Sequence, residues 1–255
     1  MRFDITGLFE LYGLIFFLLI TVYYFIPAGI WYYIFFVLNR KKWNHMRVQK
    51  YFPVRKQILR EIRYSILSVA IFSLVALGLV LSIRNGGTLM YFEAGNYGIV
   101  YFILSPLLAF ILHDTLFYWL HRFMHLKIVF RYIHLVHHKS TNPTPFSIYA
   151  FQPGEAIIQS LLYALILFTI PIHPYTFGFF MAYNLFINLS GHSGYEFMAE
   201  KFRNHWLYRF QNTVTNHDLH HTKFNCNYGF YFTFWDRIMD TLKGDTSNKQ
   251  GKNKS

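Results

Sequence analysis

Among 255 residues there is one cysteine, Cys226. No internal disulfide can form, which suits a reducing compartment, and no zinc site built on cysteine pairs is available. Charge is also scarce: 14% of residues are Asp, Glu, Lys or Arg, against 54% hydrophobic and 21% aromatic. Several catalytic words are missing. There is no H-E-x-x-H of a zinc protease and no G-x-G-x-x-G for a dinucleotide. The H-P-G-G haem-binding word of a cytochrome b5 domain is absent; the nearest string is Gln152-Pro-Gly. No Glu has a His three residues later, which excludes the paired Glu-x-x-His helices of ferritin-like di-iron bundles. Asp4 and Glu10 interrupt the basic start of a cleavable signal peptide, and no small-residue cleavage site follows. The first apolar segment should therefore remain as an anchor.

The chain instead has long uncharged runs. Leu11 to Leu38 carries no charge and has Pro27 as a kink, and Ser65 to Ile83 is long enough for about 30 Å of hydrocarbon. Ile99 to Leu112 follows, then the pair Ala156 to Ile170 and Tyr175 to Leu189 around a P-I-H-P turn. Each member of that pair is short for an upright span, which leaves a re-entrant hairpin open. A charge near the bilayer centre costs about 2.5–3.5 kcal/mol on insertion scales, so clean runs of this length predict membrane helices. The net charge of +12 is concentrated between Arg40 and Arg63, where Glu61 alone opposes Arg40, Lys41, Lys42, Arg47, Lys50, Arg55, Lys56, Arg60 and Arg63. Beside spans, that bias marks a cytoplasmic loop attracted to anionic lipid heads, not a nucleic-acid surface. Counting spans from it puts the amino terminus and the 84–98 loop outside, and everything from about Leu120 onward in the cytoplasm.

Eight of the thirteen histidines form three clusters. They are H-R-F-M-H (His121, His125), H-L-V-H-H (His134, His137, His138) and H-D-L-H-H (His217, His220, His221). Spacings of three and four share one helix face. Adjacent histidines diverge by about 100°, which suits two neighbouring ions better than one. So many convergent imidazoles exceed the four ligands of tetrahedral zinc. By the span count, all three clusters lie on the face of the basic loop. His45, His113, His173 and His205 stand alone and read as ordinary residues.

Imidazole suits iron, copper, nickel and zinc. An all-imidazole centre at the end of membrane helices, beside apolar surface, fits oxygen chemistry on a lipid. Two irons with dioxygen would oxidise an unactivated C–H bond, and zinc could replace iron in overexpressed protein. Asp114, Asp218 and Glu196 are candidates for orienting ligand rings through their second nitrogen. A lipid would slide in from the bilayer along a tunnel near Phe117, Tyr118 and the hairpin from Ala156 to Leu189. The alternative is a membrane protein that binds or moves metal without redox chemistry. Transporters usually place ligands near the midplane, whereas these clusters lie beyond the spans.

The order H-x-x-x-H, H-x-x-H-H, H-x-x-H-H resembles the fatty acid hydroxylase / sterol desaturase superfamily of membrane-bound di-metal oxygenases. The flanking words are similar too. They are D-T-L-F-Y-W-L-H-R before the first cluster, with Asp114, Tyr118, Trp119 and Arg122, and H-H-K-S-T-N-P-T-P-F with Y-A-F-Q-P-G-E after the second. The run H-D-L-H-H-T-K-F-N-C-N-Y-G-F-Y-F-T-F-W-D-R resembles the sterol-desaturase branch in particular. G-H-S-G-Y-E matches the family's additional histidine, so the resemblance adds His192 to the ligand set. Asn188 stands where some relatives carry another. Relatives often read Y-A-F-H-P where this chain has Gln152, so any substrate or metal role at that position is altered here.

The likeness covers about residues 99 to 242. It implies an all-α polytopic membrane protein of about four to five spans, or spans plus a re-entrant hairpin. A cytoplasmic helical histidine-rich cap would hold the two metals. Residues 1–98 would form an anchor with two spans and the basic loop, 99–242 the catalytic domain and 243–255 a disordered polar tail. With no haem or dinucleotide motif, electrons must come from an external donor such as cytochrome b5 or a ferredoxin with its reductase. The membrane would be a bacterial inner membrane or the endoplasmic reticulum.

Overall fold

The computed structural model describes residues 5–199, 202, 205, 206 and 208–244; the tail from residue 245 lies outside them. The described residues are helical with no strand, and only isolated bridges such as Arg47 with Tyr195 and Met90 with Ile172 occur.

Three helices are long and apolar enough to cross a membrane: α1 (Ile5–Leu38), α2 (Arg55–Arg84) and α3 (Gly98–Met124). Wide π turns interrupt α1 at Leu19–Phe25 and Tyr33–Leu38. The first runs into Pro27, whose ring lacks the N–H a regular helix would use there. Pro106 breaks the same rule inside α3. It leaves the Phe102 carbonyl without its usual donor, and the Ser105 hydroxyl donates to that oxygen at 3.2 Å. Such local repair lets a proline sit in a membrane helix. α2 ends on Gly86 at φ +68°, the left-handed conformation that glycine adopts without strain.

Beyond α3 the chain makes two short helices, α4 (Lys127–Ile133) and α5 (Leu135–His138), then the hairpin α6 (Pro153–Thr169) and α7 (Pro174–Gly191). α8 (Val214–Lys223) and α9 (Phe234–Ile238) close the cap. Ile103, Leu107 and Ile111 make an exposed apolar stripe along α3, as expected of a surface that faces hydrocarbon. A core of Ala109, Ile166, Leu167, Ile172 and Phe180 joins α3 to the hairpin.

The two ends of the bundle differ. At one end the basic loop is tied to the chain just after the second histidine cluster. Gln49 Nε2 donates to the Pro143 carbonyl at 2.8 Å, Gln57 Nε2 to Asn142 at 2.7 Å, and an Arg60 guanidinium N–H to Lys139 at 2.8 Å. At the other end the 85–97 loop meets the hairpin tip. Leu89 N–H donates to Leu167, Tyr91 N–H to Ile172, and His173 Nε2 bonds the Phe92 carbonyl. α6 and α7 therefore run the length of the bundle. A membrane-impermeant maleimide should label Lys42→Cys and Lys223→Cys from one side and Asn96→Cys from the other, in a Cys226→Ser background. Labelling of Lys42→Cys and Lys223→Cys from opposite sides would contradict this arrangement.

Candidate metal centre

His121 sits on the last turn of α3 and His125 caps it. His134 caps α4, and α5 carries His137 and His138. His192 caps α7, and His217, His220 and His221 lie on α8. Thr213 starts α8, its hydroxyl accepting the Asn216 N–H at 3.1 Å.

These nine rings fall into two groups. One holds His121, His125, His134, His138 and His220; the other holds His137, His192, His217 and His221; within each, the ligand atoms lie within 4.8 Å of one another. The adjacent pairs divide: His137 and His138 go to different groups, as do His220 and His221. The two H-x-x-H-H motifs are used in complementary fashion. The first gives its i and i+4 rings to the group of five, and the second gives its i and i+4 rings to the group of four.

His138 Nε2 faces the Nε2 atoms of His125, His134 and His220, each at 3.1 Å. One ring nitrogen offers either a single proton or a single lone pair, so these three contacts cannot all be hydrogen bonds. An ion shared by all four is the chemistry that fits. His121 Nε2 is 3.0 Å from His134 Nε2, and in the other group His217 Nε2 is 3.0 Å from His192 Nε2 and 3.1 Å from His221 Nε2. With metal–nitrogen bonds of about 2.1 Å, ligands at right angles lie about 3.0 Å apart and tetrahedral ones about 3.4 Å. Edges of about 3 Å are short enough for the rings to share one ion in each group.

The far side of the rings fixes the tautomers. His121 Nδ1 donates to the Tyr228 carbonyl at 2.8 Å and His220 Nδ1 to the Cys226 carbonyl at 2.7 Å. His134 Nδ1 bonds Glu155 Oε1 at 2.7 Å, and His192 Nδ1 donates to Ser147 Oγ at 2.6 Å. With the proton held on Nδ1, the Nε2 lone pair points inward, free to bind metal. Burial pushes the pKa values of His134, His137, His138, His192, His220 and His221 down, and brings His217 from 6.5 to about 3. Neighbouring imidazoles push the same way, so the rings stay neutral and able to act as ligands.

None of the three acids expected to orient imidazoles bonds a ring of either group among the described residues. Asp114 accepts the N–H groups of Tyr231 and Phe232 at 2.7 and 3.2 Å, pinning the carboxy-terminal signature to α3. Glu196 accepts the Thr215 N–H and hydroxyl at 3.0 and 2.7 Å, where a carboxylate offsets the positive helix end of α8. Asp218 Oδ1 is buried without a hydrogen-bond partner among the described residues, and burial raises that carboxyl to about 6. The orienting carboxylate is Glu155, fully buried at the start of α6. Its only sequence cue was its place in the Y-A-F-Q-P-G-E word.

An apolar cavity opens beside both groups. Phe117, His121, His134, His137 and Glu155 line it, together with Tyr23, Phe72, Gln159, Tyr163 and Met181 from the surrounding helices. Tyr118 and Gln152 are placed elsewhere. Tyr118 is buried behind α3 with its hydroxyl 3.0 Å from Thr241 Oγ1. Gln152 accepts the Val136 N–H at 3.2 Å and donates to the Tyr132 carbonyl at 2.8 Å, bracing the second cluster instead of facing the cavity. Asn188 lines the cavity and donates to the Ile148 carbonyl at 3.3 Å. His45, His113, His173 and His205 stand outside both groups. His113 lines the cavity, buried in an aromatic cage with neither ring nitrogen hydrogen-bonded among the described residues. Unmet polar groups of this kind cost about 1–3 kcal/mol.

The sequence pattern of the fatty acid hydroxylase family matches residues 106–241. A delta(7)-sterol 5(6)-desaturase of Gibberella zeae is 33% identical over 213 residues, covering 84% of this chain and 62% of that protein. Lathosterol oxidases of rat and human are 32% and 30% identical, each across 89% of this chain and 72% of the relative. The chain thus spans less than two thirds of the fungal relative's length. No solved structure matches it.

Ala at His125, His138, His217 or His221 is expected to abolish turnover, while His45→Ala retains it. Equal damage from His45→Ala, measured on membranes of matched protein content, would contradict the grouping. Glu155→Gln should weaken metal retention or activity by about 10–100-fold, the usual range for a partner behind a ligand ring. Glu196→Gln should not, since that carboxylate touches no imidazole; chelator competition measures both.

Proposed function

The chain belongs to the fatty acid hydroxylase family, and on that footing we propose a membrane oxidoreductase that hydroxylates or desaturates a C–H bond of a sterol-like or fatty-acyl lipid. It uses two iron ions and dioxygen. The observation that carries this reading is the opening of two adjoining all-imidazole groups onto an apolar cavity walled by membrane helices. The iron pair, when bound, supplies the oxidising power to break an unactivated C–H bond.

The chain's own residues do the rest. The five-ring and four-ring groups would hold one ion each, with Glu155, Ser147 and the Tyr228 and Cys226 carbonyls bonding the Nδ1 atoms of His134, His192, His121 and His220 from behind. Phe72, Phe117 and Phe151 pack the carbon skeleton and keep water from the reacting carbon. Each methylene kept out of water is worth about 0.8 kcal/mol, so a lipid received sideways from the bilayer avoids a large cost. Residues 99–242 form the catalytic part, and 1–98 add a wall of its cavity through Leu19, Tyr23, Val69 and Phe72. The charge bias of the basic loop supports a centre on the cytoplasmic face, where an external carrier such as cytochrome b5 or a ferredoxin system would supply electrons. The names of the relatives favour a sterol-like substrate. Metal transport is not favoured, because both groups lie at one end of the bundle and not near its middle.

Lipid extracts of cells expressing the wild-type chain should contain a product that is one oxygen heavier, or two hydrogens lighter, than its precursor. The same cells expressing His137→Ala should lack it. Identical lipid profiles by mass spectrometry would contradict the proposal.

A further inference from the structure

His113 extends a ladder the sequence reading left out. His113, Phe117 and His121 are spaced by four on one face of α3, so His113 lies two turns, about 12 Å, along the helix from the ligand. It is 1% exposed, ringed by Phe117, Tyr163, Phe180, Phe230 and Tyr231 at centroid distances of 5.3–5.9 Å. Several other polar groups of this cavity spend their donors on protein. Tyr163 OH donates to Asn184 Oδ1 at 3.0 Å, Asn184 Nδ2 to Tyr231 OH at 2.7 Å, and Ser160 to the Ile157 carbonyl at 2.8 Å. Of the histidines lining it, His113 has both ring nitrogens buried without a hydrogen-bond partner among the described residues, well away from the two imidazole groups.

A neutral imidazole offers one donor and one acceptor, the complement of a hydroxyl group. A hydrocarbon chain would leave both unmet. We infer that His113 is a specificity-determining residue that hydrogen-bonds a hydroxyl carried by the lipid, and so sets which carbon faces the metal centre. A hydrogen bond spans about 3 Å, so about 9 Å remains along the helix to the ligand ring, of the order of three or four fused carbon rings. That separation suits a hydroxylated polycyclic lipid better than a plain acyl chain. A site built to bond a substrate hydroxyl strongly rejects the analogue lacking it. The inference rests on the lipid-oxidation reading above.

Equilibrium binding tests it without turnover. Tritiated lathosterol and its 3-deoxy analogue are titrated into the full chain, zinc-loaded and in detergent, as wild type, His113→Phe and His113→Asn. Wild type should bind the hydroxylated sterol at least tenfold tighter than the deoxy compound. His113→Phe should bind both equally, at the weaker affinity, and His113→Asn should recover part of the preference. No preference in wild type, or an undiminished one in His113→Phe, overturns the inference and leaves the proposed oxidation standing. If His113→Phe fails to retain metal, the wild-type ratio and His113→Asn decide. Binding of neither sterol by wild type removes the sterol-like substrate and the inference together.

Discussion

Nine neutral imidazoles packed nitrogen to nitrogen cannot satisfy one another. In each group the ligand nitrogens lie within 4.8 Å of one another, and their lone pairs repel unless a cation sits between them. The protein holds the rings there by bonding several of them from behind. The Tyr228 and Cys226 carbonyls, Ser147 and Glu155 each take one Nδ1. These partners come from different parts of the chain, so folding of the cap and assembly of the site are one event. Asp236 accepts the Tyr228 and Gly229 N–H groups at 2.9 and 2.8 Å, and Asp114 anchors the next residues to α3. The loop carrying the Tyr228 carbonyl is thereby fixed against the helix that carries His121. Metal binding to such a site contributes directly to folding stability.

The membrane imposes the second constraint. Backbone groups in hydrocarbon must find partners within the protein, which explains the Ser105 repair beside Pro106 and the fully helical architecture. The bundle leaves its centre at one end, where polar chain can approach. The same helices continue beneath it as apolar walls, so α3 carries both imidazoles of the centre and the lining of the cavity. The basic loop, tied to residues 139–143, adds rigidity directly behind the second cluster.

Much of this was legible in the sequence because periodicity carries it. The uncharged runs marked the spans, and the hairpin around Pro171 emerged as two helices of 17 and 18 residues. The divergence of adjacent histidines pointed to two groups, and His137 and His138 do part company. The misses concern partners that spacing cannot show. Asp114, Asp218 and Glu196 lie near histidines in sequence, yet the carboxylate against a ligand ring is Glu155, 21 positions from His134. Tyr118 was grouped with Phe117, but neighbours on a helix diverge, and one faces the cavity while the other faces Thr241. His113 falls eight residues before His121, outside the three- and four-residue spacings of the clusters, although that separation is again a helical repeat.

The account depends most on two ions lying side by side in an imidazole cage. Metal analysis joined to iron-edge X-ray absorption on the purified full chain tests this directly. Two irons per chain are expected, each with five or six nitrogen or oxygen neighbours, dominated by imidazole scattering and without sulfur. One ion per chain at full occupancy, or a four-coordinate site containing sulfur, would contradict it.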